Sequence, residues 1–359
     1  MGSNSLGVQR VVQEIEIAKR GITCFLRALC VSVFSVLEEV LTGFFRFMAL
    51  FSLIAVLILE QIRPLPYRQI VGRPLSSLAQ FVERLFNAGE HQHGQIAWSL
   101  AVGGLVLLAG GVYFALYAIS PLLAWLSNVA ILYLTMGFRQ FSHYYTDIQF
   151  ALRMDDLPHA RKLLAEWREK PADGLTASEV ARLAIEEVLK ASHRHVFGVL
   201  VCFILLPGPC GAVLYRVAAF LDRAWGAASE HGNDSFGKFS RQAFAVIDWF
   251  PARVTAAGFA VVGNFEDAVG CWRSQAGVWS NSGSERGLAC LLASGAGALG
   301  VRLGGQRSAP DGVIEHGEVG IGDEPNVDSM QGAVRLIWRT LLLSLLFLLL
   351  LSFASLVGA

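Results

Sequence analysis

Uncharged apolar stretches and short polar stretches alternate along the chain. Gln95 to Phe138 holds no Asp, Glu, Lys or Arg. That is enough for two bilayer crossings of roughly 20 residues each, with Ser120-Pro121 as the turn between them. Gly103-Gly104 and Gly110-Gly111 in this stretch place small residues where helices can approach closely. Met48–Leu59 is a run of twelve apolar or small residues, and Thr42–Phe47 extends it nearly to the length of one crossing. Val196–Tyr215 is uncharged but carries Pro207-Gly208-Pro209 at its middle. Proline breaks the helical ladder, and broken backbone at membrane depth survives only under protein cover or beside a water-filled cavity. This segment is therefore expected to be a kinked span or a re-entrant hairpin. Asp248–Gly263 and Gly287–Val301 are short and rich in small residues, and Thr340–Ala359 is a leucine-dense tail, the clearest span of all.

Between these runs, Arg139–His195 reads as the longest soluble stretch. Met154–Lys170 is expected to be helical. Thr176 and Glu179 have capping-box spacing ahead of the apolar-periodic run Val180–Leu189. Both helices are expected to pack over the mouth of a membrane bundle. Arg139–Arg194 carries nine Lys and Arg, the stretch between Glu60 and Gln95 four, and Arg216–Arg253 five. A hairpin over Gln95–Phe138 puts the first two groups on one side, which the positive-inside rule makes cytoplasmic. The third group prefers the same side, which favours the re-entrant form of Val196–Tyr215. The expected fold is an all-α polytopic membrane bundle with about four true spans, broken or re-entrant helices and cytoplasmic helical loops. Residues 1–47 look unlike the rest: a polar start, then an apolar stretch broken by Arg27, Glu38, Glu39 and Arg46, with no small-residue cleavage site after it. They are expected to be an N-terminal extension from the gene model, with Met48 as the true start. A single membrane domain over 48–359 follows, with a cytoplasmic helical loop at about 139–195.

Composition agrees with this partition. Of 359 residues, 54% are hydrophobic and 16% charged, with a mean hydropathy of +0.49. Soluble domains average about 25% charged. Lys plus Arg and Asp plus Glu both number 29. No basic stripe of the kind a phosphate backbone attracts is present, so no nucleic-acid partner is expected, and the chain's partner surface is the lipid bilayer. The six cysteines form no Cys-x-x-Cys pair and sit mostly in apolar stretches, as buried hydrophobes would. His91/His93 and His193/His195 are spaced i, i+2, which points them to different helix faces, so neither pair reads as a metal site.

Ionisable residues beside or inside apolar segments are functional candidates. Arg216 and Asp222 follow the broken segment. Asp248 and Arg253 flank Trp249-Phe250-Pro251-Ala252. Gly295–Gly305 is a glycine-rich run containing Arg302. Asp323 follows Ile321-Gly322, and Arg335 precedes the last span. The glycine run could bring backbone amides to a phosphate, or could equally be a tightly packed membrane helix. Arg253 and Arg302 could clamp phosphate or carboxylate, or snorkel to lipid headgroups. These groups are expected to gather at one cytosol-facing mouth.

Taken in order, these pieces resemble the cobinamide-synthase family of cobalamin biosynthesis (CobD/CbiB), together with its relative, the AmpE family. The resemblance covers roughly Met48 to Ala359. Gly297-Ala298-Leu299-Gly300-Val301-Arg302-Leu303-Gly304-Gly305 looks like the synthase family's Gly-Ala-Leu-Gly-x-x-Leu-Gly-Gly, and Phe250-Pro251-Ala252-Arg253 like its Leu-Pro-Ala-Arg. Tyr215-Arg216 with Asp222 and Gly226, Gly72-Arg73, Ile321-Gly322-Asp323 and Val334–Trp338 resemble further family stretches. The resemblance implies a bacterial inner-membrane ligase. It would join the propionate of adenosylcobyric acid, a corrinoid, to aminopropanol or its phosphate, driven by ATP and Mg²⁺. On that basis Arg253 and Arg302 would bind phosphate or the corrin carboxylate. Asp222 and Asp323 would hold magnesium or orient the amine, Glu186 would be a secondary acid, and Gly297, Gly300, Gly304, Gly305 and Arg216 would line the cofactor site.

The chain departs from the synthase pattern at several polar positions. Arg63-Pro64-Leu65-Pro66-Tyr67 stands where the family has Gly-Asp-Pro and His-Pro, Lys190–Arg194 where it has Glu-Asn-x-x-Asp, and Phe244-Ala245 where it has an Asp pair. Val246–Arg253 and Met48-Ala49-Leu50-Phe51 look closer to AmpE. The alternative implied by that side is a membrane signalling modulator without ligase activity.

Overall fold

The computed structural model describes residues 43–62, 68–86, 91–226, 235–277, 286–309 and 312–357. Most of the expected extension, with Cys24 and Cys30, lies outside the described residues, as does Arg63–Tyr67. The first described helix, α1 (Gly43–Ile62), already begins ahead of Met48. A short amphipathic helix follows, α2 (Arg73–Phe86), which buries Leu75, Ala79 and Val82.

Helix α3 (His91–Ile119) and helix α4 (Pro121–Thr135) form the expected hairpin. Ser120 makes the turn. Its side chain accepts from the Leu122 N–H at 3.3 Å, and Pro121 opens α4, where its missing N–H costs nothing. Helix α1 packs against α4, and both reach helix α5 (Phe138–Arg153) at one end. Helix α6 (Leu157–Arg168) is shorter than the expected Met154–Lys170, because Asp156 caps it by accepting from the His159 N–H at 3.1 Å.

The capping box forms: Thr176 N–H donates to Glu179 at 2.7 Å, and Glu179 N–H to Thr176 Oγ1 at 3.3 Å. It starts helix α7 (Ala177–Ser192). Contrary to expectation, this helix does not cap the bundle from outside. It buries almost every residue from Val180 to Ser192 and runs through a π-turn, His193–Phe197, into helix α8 (Gly198–Leu205). Ala177–Leu205 is one rod, long and apolar enough to cross a membrane. Glu186 and His193, which helped it read as a loop, find their partners inside the protein.

At Leu206 the backbone turns extended, and Gly208 takes a positive φ of 61°. Helix α9 (Cys210–Leu221) then returns along α8. The expected break at Pro207–Pro209 is observed, and it makes a helical hairpin of α8 and α9. Its arms touch at two glycines: a Cβ on Gly198 would overlap the Tyr215 ring, and one on Gly211 would overlap the Cys202 carbonyl. The tip rests on α3, with Gly208 against Tyr113 and Cys210 against Gly110. Gly110 precedes the end of α3 by nine residues, about 14 Å along the helix. The hairpin therefore turns back before the α3–α4 turn.

Helix α10 (Ser235–Val262) takes in the expected Asp248–Gly263 run and crosses α3, α9 and helix α12 (Arg286–Leu299). Helix α11 (Phe265–Gln275) packs beside α12. The last helix, α13 (Val327–Val357), begins at Val327, well ahead of the expected Thr340. Among the described residues, four helical stretches are long and apolar enough to span: His93–Ile119, Ala177–Leu205, Phe236–Val262 and Val327–Ala354. Leu107, Leu346 and Phe347 lie exposed along them, as side chains facing lipid do. The all-α polytopic bundle carries one addition that periodicity did not reveal. An antiparallel hairpin of β1 (Leu303–Ala309) and β2 (Gly312–Val319) sits between α12 and α13.

The glycine contacts give a paired expectation. Gly211→Ala forces a Cβ onto fixed backbone and is expected to cost about 1–3 kcal/mol or more. Gly103→Ala meets nothing within 4 Å and is expected to stay within about 0.5 kcal/mol. Unfolding midpoints in one detergent compare them, and equal midpoints would refute the close approach of the hairpin arms.

Candidate functional site

The π-turn that joins α7 to α8 carries His193, Arg194 and His195. A π-turn widens the helix by one residue and often marks a functional position. Here it turns His193 into the bundle, where the side chain is fully buried. Its Nδ1 lies 2.9 Å from Thr255 Oγ1 and its Nε2 2.8 Å from Asp248 Oδ1, both on α10. Tyr215 of α9 donates to the same Asp248 oxygen at 2.7 Å. Thr255 gives its hydroxyl proton to the Pro251 carbonyl at 2.9 Å. Thr255 can then only accept from His193, so Nδ1 carries a hydrogen. The Nε2–Asp248 contact needs a proton of its own, since two lone pairs at that distance repel. Three elements thus meet at one buried hydrogen-bonded unit.

Arginines surround this unit. Arg194 acts electrostatically on both Asp222 and Asp248. Arg216, buried on α9, and Arg223 share the space around His195 with Arg194. Arg241 of α10 donates to the Gly226 carbonyl beside Asp222. Arg194 Nε is buried without a hydrogen-bond partner among the described residues, which leaves an unused donor for an anionic ligand. Asp222 opens a second π-turn, Asp222–Gly226, outside the four long apolar stretches. Burial pushes its carboxyl up from 3.8 to about 6, against the opposing pull of Arg194 and Arg241.

Comparison with known proteins fits this arrangement into a family. The family described as CobD/Cbib protein matches residues 24–337. A cobalamin biosynthesis protein CobD of Stutzerimonas stutzeri is 34% identical over 297 residues, covering 80% of this chain and 92% of that protein. The chain belongs to the CobD/CbiB family. A CobD of Chromobacterium violaceum is also 34% identical, over 67% of this chain and 77% of its own. One of Yersinia enterocolitica is 27% identical, over 72% and 80%. No solved structure matches.

The CobD/CbiB-like glycine stretch does not form a phosphate cradle. Gly297 lies in α12, packed on the Asp267 carbonyl. Gly300, with φ of 66°, ends that helix. The amides a phosphate would use are engaged: Gly300 to Gly297 O, Val301 to Ala296 O, Arg302 to Asp323 O, and Gly304 to Glu186 at 2.8 Å. Gly305, with φ of 89°, sits beside Arg182. The stretch is a helix end welded to a strand start, and Glu186, fully buried, fastens it to α7.

The family-implied residues do not gather at one mouth. Arg302 and Asp323 are both exposed and are held together through backbone, by a bridge between Val301 and Asp323. They lie near Gly263, where α12 meets the end of α10, since the Asn264 N–H donates to Ala298 O. Asp222 lies near Arg241, about 30 Å away along α10 at 1.5 Å per residue. Arg253 stands between, its guanidinium 4.1 Å over the Trp249 ring and donating to the Trp249 carbonyl at 2.9 Å, on an exposed face. Asp222 and Asp323 therefore cannot share one magnesium. Among the described residues no three His, Cys, Asp or Glu cluster as metal ligands. Arg216 joins the Asp222 end.

Thr255 escaped the sequence reading, Tyr215 entered it only within a family-like stretch, and His193 only in a histidine pair set aside as a metal site. The i, i+2 histidine argument assumed a regular helix, and the π-turn breaks that premise. Asp248, an acid inside an apolar run, was the available signal.

Asp222 yields a pH expectation. Its folded carboxyl holds a proton that the unfolded chain has already released between pH 3.8 and about 6. Stability should fall as pH rises through that window, by up to about 3 kcal/mol. Asp222→Asn should flatten this slope. A wild-type profile as flat as the variant's in detergent unfolding would exclude the buried carboxyl.

Proposed function

We propose that this chain, a cobalamin-biosynthesis protein by family, forms the amide bond between the propionate of adenosylcobyric acid and aminopropanol or its phosphate. The observation that carries this reading is the buried His193–Asp248–Tyr215 unit beside the arginines at the base of the hairpin. Amide formation from an alkylammonium needs two things: a group to take the proton from the nucleophile, and positive charge to bind carboxylate and stabilise the acyl centre as negative charge develops. The Asp248 carboxylate, held by His193 and Tyr215, supports the first role. Arg194, Arg216 and Arg241 support the second. ATP, the co-substrate in this reading, would supply the leaving group that makes the propionate reactive. Among the described residues the acids build no magnesium cage, and magnesium enters this reading only with the triphosphate, as it commonly does.

The reading includes a bacterial inner-membrane location with the hairpin opening to the cytoplasm, supported by the excess of Lys and Arg in the segments on that side. The modulator alternative draws on missing family carboxylates. His193 and Asp248 offer the proton-handling groups that those carboxylates would otherwise supply.

Complementation of a cobinamide-synthase deletion tests the reading, with corrinoid intermediates measured alongside growth. The wild-type chain is expected to restore cobalamin-dependent growth and to consume adenosylcobyric acid. His193→Gln and Asp248→Asn are expected to slow product formation by about 100-fold or more while still inserting in the membrane. Failure of the wild type, or full activity in both variants, would overturn it.

A further inference from the structure

Helix α2 lies apart from the buried unit and from the four long apolar stretches. Its 14 residues reach about 21 Å at 1.5 Å per residue, too short to cross a hydrocarbon core of about 30 Å. The sequence of α2 divides into stripes spaced i, i+4, i+7, i+11. Leu75, Ala79, Val82 and Phe86 form one, and the first three are buried. Pro74, Leu78, Phe81 and Leu85 form a second apolar stripe, in which Phe81 and Leu85 are 63% and 62% exposed. Arg73, Ser77, Gln80 and Arg84 form a polar stripe that is exposed along its whole length. Each stripe is offset from the next by one residue, about 100° around a helix of 3.6 residues per turn. The exposed apolar stripe therefore lies between the buried one and the polar one.

The buried stripe fixes the level at which the helix sits. Leu75, Ala79 and Val82 share an apolar cluster with Ala97, Ala101 and Val102 of α3 and with Val217 and Leu221 of α9, and α2 touches both helices. Ala97 and Ala101 lie about 6 and 12 Å past His93, where the apolar stretch of α3 begins. An amphipathic helix in the plane of a bilayer buries its apolar face to about 5–10 Å at the boundary of headgroups and acyl chains. Ile96 and Leu100, on the same part of α3, are also exposed, so the apolar surface of that span is open at the level of α2.

We propose that α2 lies in the plane of the membrane, in the leaflet that covers this end of the bundle, with Phe81 and Leu85 among phospholipid acyl chains and Arg73 and Arg84 at the level of the headgroups. Two large apolar side chains one turn apart, beside an unbroken polar stripe, fit the boundary between hydrocarbon and water and fit neither medium alone. Guanidinium groups on long stems suit the phosphates found there. The apolar cluster that receives α2 also contains Trp225, in the π-turn that Asp222 opens. The helix thereby holds the arginine-lined end of the hairpin at the membrane surface. This placement follows from the stripes and packing of α2, whatever reaction the protein performs.

Fluorescence quenching on the full chain in phosphatidylcholine nanodiscs tests the placement. An environment-sensitive fluorescent amino acid is introduced at Phe81, Leu85 or Gln80 of α2, and at the exposed Leu107 of α3 as a lipid-facing reference. Phospholipids with dibrominated acyl chains quench from the hydrocarbon, and iodide quenches from water. The probes at Phe81 and Leu85 are expected to be quenched by the brominated lipid as the Leu107 probe is, about threefold or more above the Gln80 probe, and to be shielded from iodide. The Gln80 probe is expected to be quenched by iodide. Should the Phe81 probe prevent folding, the Leu85 probe decides. Iodide quenching without bromine quenching at Phe81 and Leu85 puts the stripe in water and overturns the proposal. Shielding from both quenchers means that protein covers the stripe, a second copy of this chain or another partner, and overturns it as well. Bromine quenching at Gln80 as strong as at Phe81 means that the helix is immersed in hydrocarbon, which also overturns it.

Discussion

The contact between His193 and Asp248 governs the centre of this protein. Both side chains are buried where an unpaired charge or polar group would be prohibitively costly. Each makes the other tolerable, and Tyr215 and Thr255 complete the hydrogen bonding. Because the participants come from the α7–α8 rod, α9 and α10, the contact fixes where three helices cross. Removing either partner would strand the other, and such stranding is costlier than never burying the pair. The helical hairpin and its arginine-lined end are positioned as a consequence.

The hairpin itself obeys a different constraint. In lipid, two helices gain little from burying apolar surface against each other, so close packing has to hold them. Gly198 and Gly211 remove the side chains that would keep the arms apart, and Pro207 through Pro209 make the reversal affordable at depth. The tip ends against α3, at Tyr113 and Gly110. The outer helices α5 and α6 are held by ordinary caps and rings, with Trp167 stacked on Tyr144 at 6.3 Å.

Much of the architecture was legible in the residues. The turn at Ser120, the cap at Thr176 and the break at Pro207 each rest on local chemistry that survives in any context. What could not be read was long-range satisfaction of polar groups. Arg182, Glu186, Lys190 and His193 made α7 look water-facing, yet Glu186 meets the Gly304 amide and His193 meets Asp248, both distant in sequence. The same blindness scattered the proposed site: Arg253 and Arg302 carry motif positions, but only three-dimensional spacing separates them from Asp222. The π-turns at His193 and Asp222 have no sequence signature, and they are what aims the polar groups inward.

The joint between α12 and α13 bears on how this fold can vary. Gly320 and Gly322 lie flat on the Gly300–Val301 backbone, and Leu303 pairs with Val319. The ends of the intervening ribbon are therefore clamped to each other, independently of its length. Residues can be gained or lost at the far end of that ribbon with little entropic penalty and without shifting either helix. The fold thus owns a peripheral arm whose reach is free to evolve while the bundle beneath it stays unchanged.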